Sequence, residues 1–306
     1  MTTPLKLGTR GSPLALWQAN YVASLLRPIL DPRPVELVRI DTHGDRDQAS
    51  ALSAMGGFGV FTKAIQNAIL DGTADVAVHS LKDLPTIPVE GVVLAATPER
   101  APSGDAFVST KYGRFDDLPP DAKLGTSSLR RRAQILNYRP DLQLVELRGN
   151  VDTRLRKLDE QHLDGIILAE AGLVRLGLAI RITEILDPTW MLPAVGQGAI
   201  GLECREADAG TCEILEAINH RETWSRVLAE RAMLWTLGGG CLVPIGATSK
   251  VENGILTVRG AVLSEDGRRR IVATHRGPAA TPLAIGQELA AKLKDEGAEE
   301  LLATAR

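Results

Sequence analysis

KLGTSSLRRRAQIL, residues 123–136, repeats in kind KLGTRGSPLALW, residues 6–17. Each begins with a short apolar run ending in Gly-Thr, passes through a serine able to cap a helix, and continues with apolar residues at helical spacing. Two further pairs follow in the same order. VELVRIDTHGD (35–45) is echoed by LQLVELRGNVDTRL (142–155), and ADVAVHSLKDL (74–84) by LDGIILAEAGL (163–173). Strand and helix thus alternate, the pattern of an α/β fold with mainly parallel sheets, and the ordered repetition predicts two similar lobes. Ligands of open α/β sheets bind beyond the carboxyl ends of the strands, where each repeated turn places Ser, Thr and Arg. A cleft between the lobes is therefore the expected seat of the chemistry.

Working outward, LKLGT (5–9) reads as a strand, and Ser12-Pro13 supply an N-cap and a first-turn proline. Leu14, Trp17, Tyr21 and Leu25 form the expected buried stripe of the helix that follows. VELVRI (35–40) reads as a buried strand and DTHGD (41–45) as its turn. The glycine-rich MGGFG (55–59) precedes a helix capped by Thr62 and closed by Gly72. LPAVGQGAIGLEC (192–204) reads as a strand returning to the first lobe. The expected domains are 1–98 with 199–217, 103–193, and a small α+β unit at 220–306, with linkers near 99–104 and 193–199. In the last unit a helix with Trp224, Leu228 and Leu234 inward stops at Gly238, Gly239 and Gly240. GILTVRGAV and RRIVATHRG then form a hairpin around SEDG (264–267), and 282–303 a closing helix.

At 306 residues the chain is long enough for more than one core. Hydrophobic residues at 44% and charged residues at 24% are ordinary for a folded globular protein. MTTPLKLGTRGSP carries no export pattern, and no run approaches the roughly 20 apolar residues of a membrane span, so the expected compartment is the cytosol. Cys204, Cys212 and Cys241 show no CxxC or Cys/His pairing, which argues against a zinc site and a disulfide framework and for reduced thiols. A net charge of −3 gives no reason to expect a nucleic-acid partner. Of 35 basic residues, 26 are Arg, suited to two-pronged capture of carboxylate or phosphate.

Cys241 follows three glycines and precedes LVPIG, on a loop where its thiol can project; a small buried hydrophobe is the alternative. Cys204, in an apparent strand, and Cys212, in an acidic helix, read as structural. In HSLKDLP (79–85) a strand delivers Ser80, Lys82 and Asp83 to the carboxyl edge of the sheet. A carboxylate there can accept ligand N–H groups and stabilise a developing cation. The residues alone also allow Ser80 as a helix cap with Lys82 and Asp83 as solvated charges, and His79 reads as a packed strand residue. GTSSLRRR (125–132) puts Thr126, Ser127 and Ser128 at a helix N-terminus with arginines behind them, an anion-site pattern. Arg10 and Ser12 occupy the equivalent turn of the first repeat. Arg148, Arg154 and Arg175 add candidates, while Arg132 and Arg156 also fit solvated helix faces. No GxxxxGK[ST], GxGxxG or GxSxG sequence is present, and no metal-ligand spacing is found.

TRGSPLALWQA, AVHSLKDLP, DAFVS, GTSSLRR, LRGNVDTRL, ILAEAGLVRLGL, LPAVGQGAIGLECR and GGGCLVPIG, taken in this order from about residue 5 to 250, resemble the porphobilinogen deaminases. The resemblance implies two lobes of the periplasmic-binding-protein type (type II) and a small C-terminal domain bearing the cysteine. It implies a monomer that polymerises four porphobilinogens and releases hydroxymethylbilane. Cys241 would hold a dipyrromethane cofactor through a thioether, and Asp83 would be the catalytic carboxylate. Lys82, Ser80, Thr126, Ser128, Arg130, Arg131 and Arg148, together with Asp83, would bind the cofactor. Arg10, Ser12, Arg148, Arg154 and Arg175 would bind substrate. Without the resemblance, a two-lobed binding module for a small polyanion, or a cysteine-dependent transferase with another acceptor, would fit the same residues.

Two departures from the family pattern stand out. The glycine-rich loop carries Ala54 and Phe58 where lysines are common, and PSGDA (102–106) places Gly104 where an arginine is expected. The loop has thus lost two cations. Phe58→Lys is predicted to lower the apparent KM for porphobilinogen, measured by steady-state kinetics; an unchanged KM counts against a carboxylate-binding role for that loop.

Overall fold

A computed structural model describes residues 3–41, 62–238 and 243–303. They fall into two compact units, 1–101 with 199–224, and 102–198 with 225–306. DTHGD beyond Asp41, the MGGFG loop and Cys241 lie outside the described residues.

The first unit holds a five-stranded sheet built from β1 (Leu5–Thr9), β2 (Val35–Arg39), β3 (Val76–Ser80), β4 (Val92–Ala96) and, from far along the chain, β10 (Ile200–Arg205). Its order is β2-β1-β3-β10-β4. β1 runs parallel to β2 and β3, whereas β10 is antiparallel to both β3 and β4, so a single strand is reversed. The second unit repeats the plan with β5 (Asp105–Val108), β6 (Lys123–Gly125), β7 (Gln143–Val145), β8 (Gly165–Ala169) and β9 (Glu184–Ile185), in the order β7-β6-β8-β5-β9. There β5 is the reversed strand, antiparallel to β8 and β9. The sheets are thus mainly parallel, as the sequence echoes imply, and LPAVGQGAIGLEC does return to the first sheet. The two KLGT echoes share a steric reason for their glycine: a Cβ on Gly8 would sit 2.9 Å from Ile40 Cδ1, and one on Gly125 would sit 2.8 Å from Leu163 Cδ1. Side chains from the neighbouring strands and loops, Ile40 and Ala74 at Gly8 and Leu163, Ile166 and Leu147 at Gly125, close over each position too tightly for any side chain there.

Helices α1 (Pro13–Leu30) and α2 (Lys63–Leu70) cover the first sheet. Ser12 caps α1 as expected, accepting from the Ala15 amide, but the buried stripe is Ala15, Gln18, Ala19, Val22, Ala23 and Leu26 rather than Leu14, Trp17, Tyr21 and Leu25. Small residues let α1 lie close on the sheet. The large rings are displaced to its flank, where Trp17 stacks on Tyr21 with centroids 5.4 Å apart. Thr62 precedes α2 without a side-chain cap bond, and Gly72 takes the left-handed φ of +78° that ends it. β2 is half-buried rather than buried, because it is an edge strand. Leu5, Leu7, Val76, Val78, Ile200 and Leu202 form the apolar centre with Cys204, each such side chain contributing roughly 1.5–3 kcal/mol.

In the second unit α3 (Leu129–Tyr138), α4 (Val151–Glu160) and α5 (Glu170–Arg175) accompany the sheet. The same unit contains the antiparallel sheet β11 (Ile245–Glu252), β12 (Ile255–Leu263) and β13 (Arg270–Pro278), in sequential order. α6 (Ala209–Glu216) packs in the first unit, and α7 (Arg221–Thr236) spans the division between the two. α7 buries Val227, Ala229, Ala232 and Met233, while of the expected stripe Trp224, Leu228 and Leu234 are half-buried, Leu234 against the same core. The closing helix is two, α8 (Pro282–Asp295) and α9 (Ala298–Ala303), broken at Gly297 with φ +96°.

α8 meets α7 at Gly286, where a Cβ would approach Ala229 O to 2.2 Å. An exposed helical Gly→Ala change stabilises by roughly 0.5–1 kcal/mol, but here the backbone of α7 occupies the space. Gly286→Ala should therefore destabilise by about 1–3 kcal/mol, read as a lower denaturant midpoint; a gain in stability would mean the helices are not in contact.

Candidate functional site

At the carboxyl edge of the first sheet, β1 ends at Thr9 and releases Arg10 and Ser12, while β3 ends at Ser80 and enters a single 3₁₀ turn, Leu81–Asp83. These residues line a cavity of about 80 Å³ together with Gln18, Thr62, Val78 and His79. Gln18 reaches up from α1 with its Nε2 2.9 Å from Ser80 Oγ. The turn is anchored from below, since the Leu81 amide donates to Ala199 O at 3.0 Å and Ile200 pairs with Ser80. Anchored in this way, Asp83 is left exposed at the rim. Arg10, Ser12, Ser80 and Asp83, named separately by the sequence, thus share one cavity. Lys82 adjoins it on the same turn. Sequence reasoning missed Gln18, whose only signal was a polar residue on the inward face of an amphipathic helix.

Beneath this edge lies a second group that sequence reasoning did not find. His79, read as a packed strand residue, is indeed buried, with Nε2 3.0 Å from a Glu203 carboxylate oxygen. Gln66 of α2 donates to both Glu203 oxygens at 3.0 and 3.1 Å. One buried carboxylate on the reversed strand therefore ties β3, which lines the cavity, to α2, whose preceding residue Thr62 lines it too.

The second sheet presents the equivalent edge. β6 ends at Gly125, and Ser128 caps α3 by accepting from the Arg131 amide. Thr126 is buried, with its hydroxyl accepting from the Ser128 amide at 3.3 Å. Ser127 bridges both backbone groups of Leu147. The arginines behind this turn do not point to solvent. Arg130 and Arg131 are only 5% exposed and converge on Asp105, which is fully buried at the start of β5. Arg130 Nη1 reaches Asp105 Oδ2 at 2.7 Å, and Arg131 Nη2 reaches Oδ1 at 2.6 Å. Gln197 adds a bond to Oδ1 at 3.1 Å. Burial by itself would raise the carboxyl pKa. The two guanidinium charges, with hydrogen bonds from Arg130 and Gln197, outweigh it and hold Asp105 well below the usual carboxylate range. Both arginines, expected to face a ligand, thus have an anion inside the protein as their partner. Three arginines in a row could be seen in the sequence; a single Asp some 25 residues earlier, shared by two of them, could not.

The remaining candidates spread over the second unit. Arg148 pairs with Glu146 at 2.6 Å. Arg154 Nε donates to Gly149 O at 2.8 Å. Arg175, largely buried at the end of α5, donates to Gly198 O at 2.7 Å. At Gly104 the space where a side chain would begin is taken by Glu170 Oε2, 2.6 Å from the Cβ position, and burial raises the pKa of that Glu170 carboxyl. Cys204 and Cys212, read as structural, are buried and half-buried respectively. No group of three or more metal-ligating side chains occurs among the described residues. No helix of the described residues is long and apolar enough to cross a membrane.

Comparison with known proteins gives this geometry a family. Residues 5–213 match the porphobilinogen deaminase, dipyromethane cofactor binding domain family, and residues 224–295 match the porphobilinogen deaminase C-terminal domain family. Porphobilinogen deaminases of Geobacter metallireducens and Geobacter sulfurreducens are each 48% identical over 299 residues, 98% of this chain and 94% of the relative. Among solved structures, the methionine binding protein MetQ aligns with 70% of this chain and 89% of its own at 14% identity and a TM-score of 0.45. A putative methionine-binding lipoprotein from Bacillus subtilis aligns with 71% of this chain and 91% of its own at 10% identity and the same TM-score. Matched in both its parts and aligned almost end to end at that identity, the chain belongs to the porphobilinogen deaminase family.

Proposed function

We propose that this chain is a hydroxymethylbilane synthase. It joins four porphobilinogens, each losing ammonia, to a dipyrromethane on Cys241 and releases the linear tetrapyrrole by hydrolysis. The observation that carries this reading is the cavity shared by Arg10, Ser12, Gln18, Ser80 and Asp83. A guanidinium, two hydroxyls and an amide answer the carboxylate arms of a pyrrole, and one exposed carboxylate answers its N–H. That donor set fits the dipyrromethane of the matching family, which when bound would supply the nucleophilic pyrrole carbon that receives the first unit.

The chain's own residues then divide the work. As ammonia leaves porphobilinogen, positive charge develops on the pyrrole and its methylene; Asp83 accepts from the pyrrole N–H and stabilises that charge where it forms. The same carboxylate takes up and returns the proton that each coupling displaces. Ser80, Lys82, Thr126, Ser128, Arg130, Arg131 and Arg148 bind the cofactor arms, and Arg10, Ser12, Arg148, Arg154 and Arg175 those of the substrate. Asp105 neutralises one of the two charges of Arg130 and Arg131, leaving a net single positive charge in a fixed position at the head of α3. Glu170, which occupies the place of the arginine expected at residue 104, subtracts from the local positive field. The protein acts as a cytoplasmic monomer without nucleic acid, in keeping with its net charge of −3.

Intact-mass spectrometry of the purified protein should show an adduct of two pyrrole units, and Cys241→Ser should abolish it. Asp83→Ala should keep the adduct and the fold while turnover falls by roughly 10²–10³-fold or more; near-normal turnover removes Asp83 from this role. Asp105→Asn leaves two buried arginines without their anion and should destabilise by about 3–5 kcal/mol. Because the folded pKa of Asp105 is depressed, its contribution is complete above the unfolded value of about 4 and is lost only in strong acid. The wild-type advantage over Asp105→Asn in chemical denaturation should therefore be the same at pH 6 and pH 8.

A further inference from the structure

At the opposite edge of the first sheet, the two cysteines read from the sequence as unrelated structural residues are in contact. Cys204 of β10 and Cys212 of α6 are eight residues apart and their sulfurs are separated by 3.4 Å. Cys204 is fully buried among Leu5, Val76, Leu202 and Leu215, whereas Cys212 is half-buried. Burial, and then the neighbouring Cys212 sulfur, push the Cys204 thiol up to about 12. It is therefore held protonated, and the outer thiol is the one a soluble oxidant meets first.

We propose that Cys204 and Cys212 form an oxidation site that a hydroperoxide converts into a reversible disulfide between β10 and α6. In the first step the Cys212 thiolate attacks one peroxide oxygen; the O–O bond breaks, an S–O bond forms, and the displaced hydroxide takes a proton to become water. In the second, Cys204 sulfur attacks Cys212 sulfur; the S–S bond forms, the S–O bond breaks, and the Cys204 proton leaves with the hydroxide as a second water. Two thiols and one hydrogen peroxide thus give one disulfide and two waters, with two electrons passing from sulfur to oxygen. A thiol reductant reverses the change.

The position of the pair decides the consequence. Cys204 pairs with Val76 at the amino end of β3, while the cavity lies at the other end, where Ile200 pairs with Ser80. The bond would close a short loop remote from Asp83. It acts as a staple on the fold and not as a switch on catalysis.

The test treats the cofactor-loaded enzyme with a modest excess of hydrogen peroxide. Trypsin cuts after Arg205, placing the two cysteines on separate peptides that remain joined only through a disulfide. The expected result is that joined pair, lost on adding dithiothreitol, with turnover unchanged and a melting temperature raised by on the order of a few degrees. Cys212→Ser should give no joined peptides and leave Cys204 unoxidised at the same dose. Sulfinic acid on Cys212 with Cys204 still reduced overturns the proposal, as do disulfide-linked dimers or two thiols that remain unmodified. The wild-type peptide map decides the matter even if the serine variant fails to fold, and it reads these two cysteines whatever Cys241 carries.

Discussion

One reversed strand in each five-stranded sheet is the constraint on which the rest of the structure depends. β10 enters the first sheet and β5 the second from the edge where the parallel strands end, so their first residues meet Ser80 and Ala169, the last residues of β3 and β8. The turns that leave the parallel strands are thereby held by hydrogen bonds from a strand that arrives from elsewhere in the chain. Leu81 donating to Ala199 and Glu170 donating to Gly104 are the same contact made twice. Backbone pairing of this kind fixes a short polar turn through its main-chain groups and leaves Asp83 exposed at the rim.

Each reversed strand also carries a buried carboxylate, and each carboxylate is met by polar side chains from the elements beside it. Glu203 gathers Gln66 and His79, and Asp105 gathers Arg130, Arg131 and Gln197. A charge removed from water is costly unless its hydrogen-bonding capacity is filled, so each cluster penalises any arrangement in which strand and helix part. Asp105 goes further. Without it, two guanidiniums a few ångströms apart in a dry setting would repel; with it, they are locked side by side at the head of α3 with one uncompensated charge. In an enzyme whose family handles acidic pyrroles, a fixed charge costs less to use than one that must be ordered on binding.

The two sheet edges differ in what they offer. The first presents a cavity with hydroxyl, amide, guanidinium and an exposed carboxylate. The second presents hydroxyls turned inward, with Thr126 and Ser127 bonded to backbone, and cations braced by Asp105 and Glu146. The repeat in sequence therefore became a repeat in topology but not in chemistry. At the first edge HSLKDLP places Asp83 exposed on the turn beyond β3, whereas at the second Glu170 follows β8 half-buried against Gly104 and Glu146 pairs with Arg148.

Much was legible in the chain itself, for a physical reason. Strand-turn-helix order, the serine caps, the glycines of the KLGT echoes and the hairpin around SEDG are local, set by residues a few positions apart, and the structure has them where the residues imply. The partners Arg10, Ser12, Ser80 and Asp83 could be named because each ends a strand whose partners were also legible. What the tertiary structure decided was which partners distant residues would find. The stripe of α1 runs through alanines and not through Trp17 because the distance between helix and sheet is a property of both. Asp105 claims Arg130 and Arg131, Glu203 claims His79 and Gln66, and Cys204 touches Cys212, since burial leaves a polar or polarisable side chain only the neighbours that packing brings to it. Such pairings depend on separation in space, and nothing in local spacing or composition encodes that separation.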